Sequence, residues 1–233
     1  MIRDTKRYWD EGPPMTFYDL GLSYEKKRRF RYQLQDYMHG FFKFEEHNEK
    51  LILDVGCGSG IDSLEFARFG AQTVSVDFSD SAVLATWSLY KEAKLDYIGS
   101  VVQADACFLP FRDAVFDVVY SFGVLHYIPN VRNALEEIRR ILKGSGKLMG
   151  MVYNKDSLLF AYSILYLKGV KEGLIHKLKL EELECMTERR SGNPYTKLYT
   201  RDELHHLLSQ FFKNVKIKVK YNVIDTCSER ESN

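Results

Sequence analysis

Apolar positions along the chain change rhythm near residue 51. Upstream, residues 1–50 are polar, aromatic and helix-compatible. Gly12-Pro13-Pro14 breaks the first stretch, and Tyr24 to Phe44 reads as one helix with a mixed-charge face. From Leu51 onward come five short apolar runs bounded by turn residues: Leu51–Val55, Thr73–Asp77, Ser100–Asp105, Phe116–Ser121 and Gly146–Val152. Their brevity and β-branched content predict strands. Helical spacing fills most of the gaps. Asp62 to Phe69 stops at Gly70, a natural position just past a helix end. Ser79 can cap a helix running to Leu95. Val131, Ala134, Leu135, Ile138 and Leu142 recur at helical spacing, and Gly144 is expected to end that helix. The stretch before the fourth strand, around Leu109-Pro110-Phe111, holds no clear helix.

Strands alternating with helices build βαβ units. The predicted fold class is therefore α/β: a Rossmann-like, doubly wound, mostly parallel sheet with helices on both faces. After Val152 the alternation lapses. Residues 154–197 read as helical but irregular, punctuated by Gly169, Gly173, Gly192 and Pro194, and suggest an insertion over the mouth of the sheet. Alternation resumes with a helix from Arg201 to Phe211 and a strand from Val215 to Val223. There Val215, Ile217 and Val219 alternate with Lys216, Lys218 and Lys220, as on an edge strand that lysine protects from pairing. A final strand after Val223 is missing, very short, or replaced by 221–226.

Composition narrows the class. With 233 residues and 45% hydrophobic content, the chain can bury a full core without staples, and a disordered chain is excluded. The 33 Lys and Arg nearly cancel the 32 Asp and Glu, which argues against a nucleic acid coat and makes a nucleic acid partner unexpected. The four cysteines, at 57, 107, 185 and 227, have no CxxC spacing, so neither a metal site nor a disulfide framework is expected. No signal peptide is evident. The longest apolar run, Leu158 to Leu167, is too short for a membrane span. A cytoplasmic location is the expectation. Aromatic content is high, with 15 Tyr and 15 Phe.

The candidate chemistry starts at LILDVGCGSG, 51–60, a strand running into a glycine loop and a helix. Such a loop lets a ligand approach the main chain and exposes backbone N–H groups. Ile61 stands where a dinucleotide fingerprint needs a third small residue. Asp54, two residues before Gly56, is unwelcome beside a pyrophosphate and suits a ligand with a cationic amine. Asp77, ending the second strand, can take both hydroxyls of a ribose. Phe78 can lie against an adenine face, and Asp105, followed by Ala106, can accept from an exocyclic amine. A nucleoside joined to an amino acid is S-adenosylmethionine. The same carboxylates also have a plainer reading, as caps of turns at strand ends.

With VSVDFS (74–79), ADACFLPFRDAVFDVVYSFGVLHYIPN (104–130) and EEIRRILKGSGKLMG (136–150), the chain resembles the class I S-adenosylmethionine-dependent methyltransferases. Within them it is most similar to the small-molecule and quinone-biosynthesis group. The resemblance covers 51–152 and implies a cofactor set. Asp54 lies near the methionine amine, with Gly56, Cys57 and Gly58 under the methionine moiety. Asp77 serves the ribose, Phe78, Asp105 and Ala106 surround adenine, and Ser121 lies beside the methionine part. Cys57 also reads as a small filler, and Ser121 as a hydroxyl that satisfies backbone. The product is S-adenosylhomocysteine. The resemblance also divides the chain into an N-terminal helical lid (1–50), the cofactor-binding core (51–152), a helical substrate cap (153–200) and a C-terminal helix and strand completing the core (201–233).

Methyl transfer needs alignment and exclusion of water, with a general base only where the acceptor loses a proton. His126 is the candidate base, against a plain reading as a ring packed on the following helix. Tyr18, Tyr162 and Tyr195, with His126, are the acceptor-side candidates. The aromatics of 1–50 and 153–212 would roof the site and favour an apolar, small-molecule acceptor. Lys197, Arg189 and Arg190 read as holders of an anionic acceptor or as a solvated face. Two alternatives stay open: a wobble-uridine-type tRNA methyltransferase, and a non-catalytic cofactor-binding subunit. Oligomeric state is not legible.

Overall fold

The computed structural model describes residues 2–12, 22–96, 99–187 and 192–220. Its centre is a five-stranded, wholly parallel sheet: β1 Leu51–Val55, β2 Gln72–Asp77, β3 Gly99–Gln103, β4 Phe116–Phe122 and β5 Leu142–Met151, in the order β3-β2-β1-β4-β5. Leu53 pairs with Val74 on one side and Val119 on the other. Strand order reverses between β1 and β4, and the carboxyl end of such a switch point is the usual ligand position in sheets of this kind. Ile52, Leu53, Val118 and Val119 are buried, as expected of strands covered on both faces.

The helices of this part are α1 Ile2–Glu11, α2 Tyr24–Leu34, α3 Tyr37–Phe42, α4 Ile61–Arg68, α5 Asp80–Glu92 and α6 Val131–Ile141. Three boundaries correct the sequence reading. The helix expected over Tyr24 to Phe44 is two, broken where Gln35 leaves helical geometry, with a short 3-10 turn at Phe44–His47 beyond them. The helix from Ser79 stops at Glu92, and Lys94 takes a left-handed conformation. The α6 helix ends on Leu142, which is already extended and paired with Phe116. Gly144 therefore lies inside β5 and ends nothing. The Ser79 cap is present: its hydroxyl accepts the Ala82 N–H at 3.2 Å.

Several aromatics of the first fifty residues belong to the core, while Phe17 and Tyr18 lie outside the described residues. Met38, Phe42 and Phe44 pack with Ile52, Phe66, Val118 and Tyr120. Tyr24 packs with Ile61, Leu64 and Tyr90. They complete the sheet's cover.

The chain divides into two compact units, one of Met1–Leu125 with Asn130–Met151, the other of His126–Pro129 with Val152–Asn233. The described part of the second contains a π-helix at Leu159–Lys171, a 3-10 turn at Leu174–His176, α7 Leu180–Cys185 and α8 Arg201–Ser209. Phe160, Ile164, Leu183 and Leu198 form its buried core. Thr200 and Glu203 close a reciprocal cap at the start of α8. The strand expected over Val215–Val223 is absent among its described residues, 215–220. Val219 stays 39% exposed there. Apolar alternation predicts a strand only where a neighbouring edge completes the ladder. Residues 221–223 lie outside the described residues.

Candidate functional site

The glycine loop follows β1 directly. Gly56 takes φ +78, and a Cβ there would lie 2.2 Å from Val124 Cγ2, so the loop is seated against the chain leaving β4. Gly60 takes φ +79, with Thr86 of α5 against it. These positions need glycine for both reasons. The N–H groups do not face outward as the sequence suggested. Gly56 and Cys57 donate to the Val76 carbonyl at 2.8 and 3.0 Å, and Gly58 donates to Asp77 Oδ2 at 2.9 Å. Thr86 Oγ1 donates to the Gly58 carbonyl at 2.9 Å. The loop is thus tied to the end of β2. It offers close approach to its main chain without an array of free donors for phosphate.

Asp54 is the penultimate residue of β1, just before this loop, and is 3% exposed. Ser63 donates to its Oδ2 at 2.5 Å, and Ser75 in turn donates to Ser63 at 2.9 Å. Burial pushes the Asp54 carboxyl up to about 8, against the opposing pull of the Ser63 hydrogen bond. Asp77 stands at the end of β2. Besides Gly58 it accepts the Ser79 N–H on Oδ1 at 2.9 Å, and burial raises its pKa. Phe78 follows it, half-buried. Beyond β3, Asp105 accepts the Cys107 N–H at 2.8 Å, with Ala106 half-buried between them. The adjoining Ala104 N–H donates to the Asp77 carbonyl at 3.0 Å. Three carboxylates thus stand at the ends of three adjacent strands around one glycine loop.

Four features of this region escaped the sequence reading. Arg31 grips Asp62 with Nε at 3.1 Å and Nη2 at 2.6 Å, and Tyr32 and Tyr120 donate to the same carboxylate at 3.1 and 3.0 Å. One turn on, Arg28 grips the fully buried Glu65 at 2.5 and 2.6 Å. Arg140 of α6 holds the segment after β3, donating to the carbonyls of Leu109 and Phe111 at 3.0 and 2.7 Å and to Asp113 at 2.8 Å. At the start of α5, α1 docks through Lys6, which reaches Asp80 at 2.8 Å, and Asp10, which accepts the Asp80 N–H at 2.8 Å.

The remaining predicted residues are placed as follows. Ser121 is fully buried and its hydroxyl donates to the Val55 carbonyl at 3.1 Å, which is the backbone-satisfying role. Cys57 is buried beside Thr86, and burial raises its thiol pKa. His126 lies in the second unit, fully buried, its ring between those of Tyr127 and Tyr153 at 4.0 and 4.2 Å. Neither ring nitrogen has a hydrogen-bond partner, and burial lowers its pKa to about 3. Its backbone carbonyl accepts the Lys197 N–H at 2.9 Å. Tyr162 is 53% exposed on the π-helix, while Tyr195 is half-buried in a loop that Asn193 folds by donating to Thr196 at 2.5 Å. Tyr18, Arg189 and Arg190 lie outside the described residues. Among those described, no helix is long and apolar enough to cross a membrane.

Residues 53–150 match the family described as a methyltransferase domain. The sterol 4-C-methyltransferase strm-1 of Caenorhabditis elegans is 35% identical over 46% of this chain and 32% of its own length. The ubiquinone biosynthesis O-methyltransferase of Nitrosomonas europaea is 30% identical over 51% of this chain and 50% of its own. The chain therefore spans half or less of these curated relatives. The crystal structure of protein PH0226 from Pyrococcus horikoshii OT3 superposes with a TM-score of 0.63 at 19% identity, covering 93% of this chain and 95% of that one, a likeness of fold.

Proposed function

We propose that this chain, whose residues 53–150 match a methyltransferase domain, is a class I S-adenosylmethionine-dependent methyltransferase that transfers a methyl group from S-adenosylmethionine to a small organic acceptor. The observation that carries this reading is the set of carboxylates Asp54, Asp77 and Asp105 at successive strand ends around Gly56 and Gly58. The residues fit the group. Asp54 is a buried carboxyl whose nearest guanidinium, Arg31, is already gripped by Asp62, so a ligand ammonium would supply its missing cation. In this reading Asp77, which accepts the Gly58 N–H, would take the ribose hydroxyls, and Phe78, Asp105 and Ala106 would take the base.

The cofactor supplies a methyl on a sulfonium, already activated for displacement. The protein's work is then to hold donor and acceptor in line and exclude water. His126 is the general-base candidate of this reading, and a base is needed only where the acceptor loses a proton. Tyr162 and Tyr195 are the acceptor-side aromatics of this reading. The relatives named for ubiquinone and sterol support an apolar acceptor.

Isothermal titration with S-adenosylhomocysteine tests the cofactor half. We expect binding by the natural chain and a loss of roughly tenfold to a hundredfold in Asp77→Ala, the scale of hydrogen bonds to a charged group. No binding, or an Asp77→Ala variant that binds like the natural chain, overturns the reading.

A further inference from the structure

One buried face of the first unit is polar where a parallel sheet is expected to be apolar. Thr73 and Ser75 alternate down β2 to Asp77, so all three side chains share a face. Thr73, Ser75, Ser63 of α4 and Tyr90 of α5 are buried, and their hydroxyls form a chain. Thr73 Oγ1 lies 2.5 Å from the Tyr90 hydroxyl, which lies 3.4 Å from Ser75 Oγ. Ser75 donates to Ser63 at 2.9 Å, and Ser63 donates to Asp54 Oδ2. Gly99 of β3 leaves room for the Tyr90 ring, since a Cβ there would lie 2.2 Å from its Cε1. Each hydroxyl has a single proton, which fixes the direction of every step. Ser63 gives its proton to the carboxyl and Ser75 to Ser63, so Tyr90 donates to Ser75 and Thr73 to Tyr90. Every donor points toward Asp54, and hydrogen bonds aligned head to tail polarise one another.

Valine at 73 and 75 would avoid the desolvation of these hydroxyls altogether, so packing alone does not account for the chain. What the chain provides is a field that favours negative charge on one oxygen. It engages Oδ2 and leaves Oδ1 for an incoming ligand. The other charged and titratable groups around Asp54 give little such help. Asp62 of α4 and Asp77 of β2 carry like charge, and Arg31 of α2 is already gripped by Asp62. Cys57 of the loop and Tyr120 of β4 are held neutral by burial. With no free cation beside it, the buried Asp54 carboxyl stands at about 8. We propose that Ser63, backed by Ser75, Tyr90 and Thr73, is a positioning residue for the ammonium of the bound cofactor. It presents Asp54 as an acceptor, and the carboxyl releases its proton to solvent as the ammonium takes Oδ1. This inference rests on the methyltransferase reading above.

Isothermal titration of the full chain with S-adenosylhomocysteine across pH, in buffers of different ionisation enthalpy, tests it. Ser63→Ala removes only the hydroxyl and should strengthen the hold of Asp54 on its proton by about one pH unit. Affinity should then fall roughly tenfold at pH 7 but only about twofold at pH 9. At pH 8 the natural chain should release about half a proton on binding, and Ser63→Ala nearly a whole one. Ser75→Ala, and Tyr90→Phe with its ring still against Gly99, should move the profile the same way by successively smaller steps. Should Ser63→Ala fail to fold, Ser75→Ala carries the test, and an unmoved profile there overturns the proposal. A loss in Ser63→Ala that is equal at pH 7 and pH 9, with no added proton release, would assign Ser63 to packing and also overturn it. A Ser63→Ala variant that binds like the natural chain overturns it too, with the cofactor reading left standing. Failure of the natural chain to bind at any pH would remove that reading and this one together.

Discussion

Asp54 and His126 are both buried and uncharged at neutral pH, and they pull stability in opposite directions. An acid raised from 3.8 to about 8 keeps its proton in the folded chain after the unfolded chain has lost it. Its contribution to stability is therefore present at low pH and lost as pH rises toward 8. A cationic amine placed beside Asp54 reverses the preference and expels the proton. Titrating S-adenosylhomocysteine at pH 7 in buffers of different ionisation enthalpy should show release of about one proton, and Asp54→Asn should show none. His126 works the other way. Its pKa falls from 6.5 to about 3, so below 6.5 the unfolded chain takes up a proton that the folded chain refuses. Stability is lost as pH falls from 6.5 toward 3, by about 1.4 kcal/mol per pH unit. His126→Phe, which keeps a ring between Tyr127 and Tyr153, should flatten that limb of a denaturation series. An unchanged slope would mean that the imidazole is not isolated as the geometry indicates.

At the scale of elements, the parallel sheet was legible because buried strands of this class are short apolar runs punctuated by glycine and helical spacing. What stayed hidden were pairings between elements. Asp62 and Glu65 lie three apart on one face of α4, and Arg28 and Arg31 lie three apart on α2. That matched spacing was the available signal, but Asp62 reads equally well as a helix-start residue. The strand at 215–220 failed for the complementary reason, since alternation specifies a face and not a partner. Arg140 shows the consequence for the site. It sits on α6, far in sequence from the Asp105 segment, yet its guanidinium organises the carbonyls of Leu109 and Phe111. Arg140→Met should cost about 2 kcal/mol, because it leaves Glu137 and two carbonyls short of their donor. Hydrogen exchange over 105–113 should rise. In turnover, KM for the cofactor should increase with kcat little changed; a fall in kcat alone would place Arg140 in the chemistry and not in support of the loop.

At the scale of the molecule, the high aromatic content has two addresses. Phe42, Phe44, Phe66, Tyr120 and Phe122 form a network of edge-to-face and tilted rings inside the first unit, joining two aromatics of the first fifty residues to partners far along the chain. Phe160 belongs to the other unit, where it packs with Ile164, Leu183 and Leu198. The proposed cofactor residues, Asp54 to Ser121, fall wholly in the first unit, and His126, Tyr162 and Tyr195 fall wholly in the second. Each unit has its own core, so their stabilities should separate. Phe160→Ala removes a fully buried ring and should destabilise the second unit by about 3–5 kcal/mol. Hydrogen exchange should then rise across 152–187 and 192–209 while the β1 and β2 amides stay protected. S-adenosylhomocysteine should still bind, with methyl transfer lost. Loss of cofactor binding together with the second unit would instead show that the glycine loop depends on a fold it does not share, and one cooperative transition would replace two.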